Sequence, residues 1–162
     1  MFSRGSEYFR SGDYQRSIDY FNRAIQARPT YAEAYNKRGE AYFQLQQYDL
    51  AGKDFLKAID LKPEYADPYF NLGLFFQYAG DLNKAHDFYS RAIKSDPNRV
   101  DAYANRGTVL TGLGAYQQAI SDLNSAIRLK ATNLTSILIE ELLTTRPGCT
   151  GALLRISVKL LA

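Results

Sequence analysis

Apolar residues recur along this chain at three- and four-residue steps, and the pattern itself repeats every 34 residues. Gly5, Gly39, Gly73 and Gly107 stand at that interval. Around them Ser17, Ala51, Ala85 and Ala119 form a column of small residues, and Phe21, Phe55, Tyr89 and Leu123 a column of large apolar ones. Ala24, Ala58, Ala92 and Ala126 are each followed by isoleucine. Within one unit Tyr35, Tyr42 and Phe43, then Tyr48, Ala51, Phe55, Ala58 and Ile59, keep helical spacing, which predicts two amphipathic helices per unit. The Gly and Ala columns let backbones approach, and the large columns fill the gaps beside them.

Punctuation agrees with this reading. Gly12-Asp13, Gly80-Asp81 and Gly114-Ala115 lie where the two helices of a unit meet, and glycine there suits a left-handed C-cap. Gln46 takes that place in the second unit, at some cost. Pro29, Pro63 and Pro97 end the second helices. The column before each glycine reads Arg4, Arg38, Leu72 and Arg106, and sixteen residues later the chain reads Tyr20, Asp54, Phe88 and Asp122. Arginine coincides with aspartate and leucine with phenylalanine. The two columns are therefore expected to touch, as ion pairs Arg38–Asp54 and Arg106–Asp122, with Leu72 near Phe88 and a cation–π contact of Arg4 with Tyr20.

The series Tyr35, Gly39, Tyr42, Ala51, Phe55, Ala58, Pro63 resembles the tetratricopeptide repeat over roughly residues 1–130. The resemblance implies an all-α, right-handed superhelical solenoid of antiparallel helix pairs, with units at about 1–31, 32–65, 66–99 and 100–131. It also implies a concave groove, lined by the first helices, that binds a peptide or partner protein. In that register Asn36, Lys37, Glu40, Phe43, Phe70, Asn71 and Asn105 are the candidate groove residues. Asn71 and Asn105 share one column, and side-chain amides can hold a peptide backbone through donor and acceptor. Family members that grip acidic chaperone tails use lysine, asparagine and arginine at five columns. Here those columns hold Asn36, Glu40, Asn71, Asp101 and Asn105, of which only Asn71 matches. Starting one unit earlier gives Phe2, Ser6, Lys37, Asp67 and Asn71, no better a set. Glu40 and Asp101 would repel a terminal carboxylate.

Charge and composition narrow the function. Among 162 residues 20 are basic and 17 acidic, and up to Leu129 the balance is 16 to 15, with no basic stripe for a phosphate backbone. No nucleic-acid or membrane partner is expected. The lone His86 has no nucleophile or carboxylate arrangement beside it, and no metal-ligand spacing or phosphate-cradling loop occurs. Neither cofactor nor metal is expected. A single Cys149 and a start without a signal segment fit a cytoplasmic protein. The expected function is a non-enzymatic protein–protein interaction scaffold. The alternative is a substrate- or partner-recruiting fragment of a larger multidomain enzyme.

Both ends depart from the pattern. Met1 falls in the column of Tyr35, Tyr69 and Tyr103, so the first helix lacks its opening turn, as in a fragment of a longer array. Residues 132–162 contain no aromatic, and Ala131 replaces the expected proline. Leu134, Ile137, Leu138, Leu142 and Leu143 predict a helix near 133–145 that partly caps the last unit. After Pro147-Gly148, Leu154, Ile156, Val158 and Leu160 alternate, which suits a strand equally well. This apolar tail is also a candidate for self-association.

Overall fold

The computed structural model describes the backbone of residues 1–145 and the side chains of residues 1–134. Eight helices and no strand occur among them: α1 (Phe2–Arg10), α2 (Tyr14–Ala27), α3 (Ala32–Gln44), α4 (Tyr48–Leu61), α5 (Ala66–Tyr78), α6 (Leu82–Ser95), α7 (Val100–Gly112) and α8 (Tyr116–Thr145). Each helix packs on the one before and the one after it. The first helices of the units also meet, α1 with α3 and α3 with α5, and so form one continuous layer.

The turn inside each unit is the same hydrogen-bonded cap. In the first, Gly12 N–H donates to Phe9 O and Asp13 N–H to Tyr8 O, at 3.1 and 2.9 Å, a Schellman pattern. It needs a left-handed residue, supplied by Gly12, Gly80 and Gly114 at φ +81°, +79° and +76°, and by Gln46 at φ 60°. Asp13 and Asp81 then cap the next helix, accepting from the backbone N–H of Arg16 and Lys84. Between units, Arg28, Lys62 and Asp96 are pulled out of helical geometry by the prolines that follow them.

Burial follows the columns. Ser17, Ala51, Ala85, Ala24, Ala58 and Ala92 are buried, and Phe21, Phe55 and Tyr89 fill the space they leave. A methyl group on Gly73 would stand 2.5 Å from the Tyr89 ring, so the α5–α6 crossing requires glycine there. Tyr89 is fully buried and donates its hydroxyl to Gln77 Oε1 at 2.6 Å.

The paired columns meet. Arg38 holds Asp54 with Nε and Nη2 at 2.7 and 2.6 Å, and Arg106 holds Asp122 at 2.7 Å with both nitrogens. Each arginine also reaches the preceding unit: Arg38 Nη1 donates to Asn22 Oδ1 at 2.6 Å, and Arg106 Nη1 to Ser90 Oγ at 2.9 Å. One guanidinium thus ties the second helices of two units together. Burial pushes the Asp54 carboxyl up from its ordinary value, against the opposing pull of Arg38. Leu72 is buried in a cluster on which Phe88 packs. The first unit differs from expectation. Tyr20 stacks on Tyr8 at 5.3 Å and lies under Arg23 at 5.4 Å, so no Arg4 guanidinium covers it.

The fourth unit also differs. A helix does cover 133–145, but as the continuation of α8, which runs unbroken for 30 residues. Ala131 explains this, because alanine favours helix where the other units have the proline that stops one. Pro147, Cys149 and the alternating residues 154–160 lie outside the described residues.

Candidate functional site

Three successive first helices enclose a shallow recess of about 180 Å³. Phe9 of α1, Glu40, Phe43 and Gln44 of α3, and Asn71 and Leu74 of α5 form its walls, and Phe55 of α4 closes its floor. It exists because α1, α3 and α5 lie side by side and present the same columns to one face.

A polar network crosses this face. Glu40 Oε1 accepts from Asn36 Nδ2 at 2.8 Å, Lys37 Nζ at 3.1 Å and Asn71 Nδ2 at 3.2 Å. Its Oε2 accepts from Lys37 Nζ at 2.8 Å. Asn71 also donates to Asn36 Oδ1 at 3.0 Å, linking α5 to α3. Among the described residues nothing donates to Asn71 Oδ1, so it can accept from a ligand.

The acidic residues on this face are mostly paired. Arg99 binds both Asp67 and Asp101, and its guanidinium lies 4.2 Å over the Phe70 ring. Glu33 pairs with Lys62 at 3.1 Å. Its partial burial works against the charge, but its backbone hydrogen bond and Lys62 outweigh this and hold the carboxyl below its ordinary value. Four carboxylates (Glu33, Glu40, Asp67, Asp101) thus face three cations (Lys37, Lys62, Arg99), a nearly balanced surface.

Of the seven candidates, Glu40, Phe43 and Asn71 come together at the recess, with Lys37 beside them. Two are corrected. Asn36 is 0% exposed, and its amide is consumed in orienting Glu40 and Asn71. Phe70 is 8% exposed and belongs to the core between α5, α6 and α7. Both sit one helical step too far inward to touch a ligand. Asn105 is half-buried and makes no hydrogen bond among the described residues. Gln44 was missed. Phe55, 1% exposed, is core as its column predicts and lies beneath the recess.

The repeating hairpins and their shared caps are decided by one comparison. The family model for the tetratricopeptide repeat matches residues 2–66 and 70–133. This chain belongs to the tetratricopeptide-repeat family. Solved structures of similar fold include MamA, 27% identical over 82% of this chain and 78% of that one, with TM-score 0.74. A second is the first such domain of Spaghetti (RPAP3) bound to the HSP90 peptide SRMEEVD, 26% identical over 70% of this chain and 90% of that one, TM-score 0.66. MamA from Desulfovibrio magneticus RS-1, residues 41 to the end, shares the fold at 22% identity and TM-score 0.70, covering 81% of this chain and 74% of that one. No curated protein sequence matches the chain.

Among the described residues no His, Cys, Asp and Glu side chains gather as a metal site, and no helix is long and apolar enough to cross a membrane. His86 lies on α6, its Nδ1 3.3 Å from Asp87 Oδ1.

Proposed function

We propose that this tetratricopeptide-repeat chain is a non-enzymatic scaffold that holds an extended segment of a partner protein across α1, α3 and α5. The recess carries this reading. It has an apolar lining of Phe9, Phe43 and Leu74 above the buried Phe55 for one anchoring side chain, and Glu40, Gln44 and Asn71 on its wall for the peptide backbone. The hydrogen bonds that orient Glu40 and Asn71 exist before any ligand arrives, which lowers the ordering cost of binding. The RPAP3 domain, similar in fold, is bound to a peptide, which supports a peptide as the kind of ligand. The ligand differs in kind. An acidic tail would meet Glu40 and Asp101, so an apolar anchor in a neutral or mildly basic segment fits better.

A random-peptide library displayed against the chain tests this. Selected peptides are expected to share one apolar position, and Leu74→Arg is expected to weaken them by at least about tenfold, or ~1.4 kcal/mol. Leu74 packs against the core but is partly exposed, so an unchanged circular dichroism spectrum is the control that the chain stays folded. Peptides that bind the Leu74→Arg chain as well as the parent would refute the site.

A further inference from the structure

One aromatic side chain beside the recess is both open and held. Tyr78 ends α5 and is 70% exposed. Its ring meets the Phe43 ring edge-on at 6.2 Å and the tilted Tyr48 ring at 5.4 Å. Tyr48 in turn meets Phe43 at 5.3 Å and Phe75 at 6.3 Å. Ring pairs in these geometries attract one another, so the cluster holds Tyr78 in place while most of its surface faces solvent.

Tyr78 adjoins the recess in three ways. Phe43 is shared, as a wall of the recess and as a ring neighbour of Tyr78. Leu74, another wall residue, lies one helical turn before Tyr78 on the same face of α5. Tyr78 also occupies, one unit on, the column of Gln44, which lines the recess as well. Cations cover other rings of this protein: Arg16 lies over Tyr8, Lys84 over Phe76 and Arg99 over Phe70. Among the described residues no cation lies over Tyr78 or over the rings that hold it.

We infer that Tyr78 is a second subsite of the same groove and takes an arginine or lysine of the bound segment by a cation–π contact. The subsite rests on the recess being a peptide site. Charge favours a cation there, since the groove face carries one carboxylate more than it carries cations. Spacing says which residue supplies it. The four residues from Leu74 to Tyr78 rise about 6 Å along α5. Residues i and i+2 of an extended chain are roughly 6.6 Å apart and point to one side. The cation therefore stands two positions from the apolar anchor.

The probes are the peptides selected from the library on the 162-residue chain. Arginine or lysine is expected to be enriched two positions from their shared apolar residue. A selected peptide resynthesised with leucine or proline in that place should bind about two- to fivefold more weakly. Tyr78→Leu should abolish this preference, and Tyr78→Phe should keep it, because the ring face and not the hydroxyl makes the contact. Both variants should show the parent's circular dichroism spectrum, since the position is exposed. Three outcomes overturn the subsite: leucine or proline peptides that bind the parent as well as the arginine peptide, a preference for arginine that survives Tyr78→Leu, or one that is lost in Tyr78→Phe. Each of these leaves the recess standing where Leu74→Arg still weakens the peptides. Peptides indifferent to Leu74→Arg refute the recess, and the subsite with it.

Discussion

Arg38, Leu72 and Arg106 occupy one column and perform one task by two chemistries. Each arginine joins two second helices through charge-assisted hydrogen bonds, and Leu72 does so by burial. Asp54→Ala would leave the half-buried Arg38 without its partner and is expected to cost about 3–5 kcal/mol in urea unfolding. Asn22→Leu, Arg38→Leu and Asp54→Phe together copy the columns of the third unit (Leu56, Leu72, Phe88) and should return to within about 1.5 kcal/mol of the parent. An Asp54→Ala chain that unfolds at the parent's midpoint would contradict the pairing. The glycine column grades in the same way. Gly73→Ala meets the fully buried Tyr89 ring and should cost about 1–3 kcal/mol. Gly107→Ala meets Leu123, which is exposed enough to move, so the gain in helix propensity of up to ~1 kcal/mol should nearly offset it. Gln46→Gly should stabilise by about 0.5–1 kcal/mol, because it removes a left-handed non-glycine residue. The ion pairs were legible because the repeats serve as comparisons within one chain. The role of Asn36 was not. A residue at a groove column can face outward or into the layer beneath, and only the rotation of α3 against α5 turns its amide inward.

At the scale of elements, boundaries follow punctuation. The left-handed caps end α1, α3, α5 and α7, and proline ends α2, α4 and α6. α8 has no such stop, so the expected separate helix over 133–145 merges with it. The apolar spacing gave the presence of that helix. Its direction depended on Ala131 alone, which periodicity does not weigh. Ala131→Pro restores the break found at Pro29, Pro63 and Pro97. It is expected to split α8 there and to lower the helical circular dichroism signal of the chain. An unchanged circular dichroism spectrum in Ala131→Pro would show that proline at this column does not end the helix.

Taken as a whole, the molecule is a row of hairpins in which each unit borrows its core from its neighbours. Hydrogen exchange should therefore be graded along the row. Amides of α1, which has 9 residues against 13 in α3, should exchange well ahead of those in α3 and α5, and equal protection throughout would show a single cooperative block. The stacked fold was legible from the 34-residue interval, because nearest-neighbour packing writes itself into each unit. The recess was legible only in part. Its walls follow from the columns, but its depth depends on side chains of three units converging at one point. The alternation of arginine, leucine and arginine has a further consequence for how the row assembles. A hairpin docked one place out of turn would keep its own partner but set Leu72 against Asn22, or the Arg106 guanidinium against Leu56, in place of the preceding-unit contacts Arg38–Asn22 and Arg106–Ser90. Neighbouring hairpins are therefore not interchangeable, and a chain that starts folding at any hairpin is steered toward a single order of stacking.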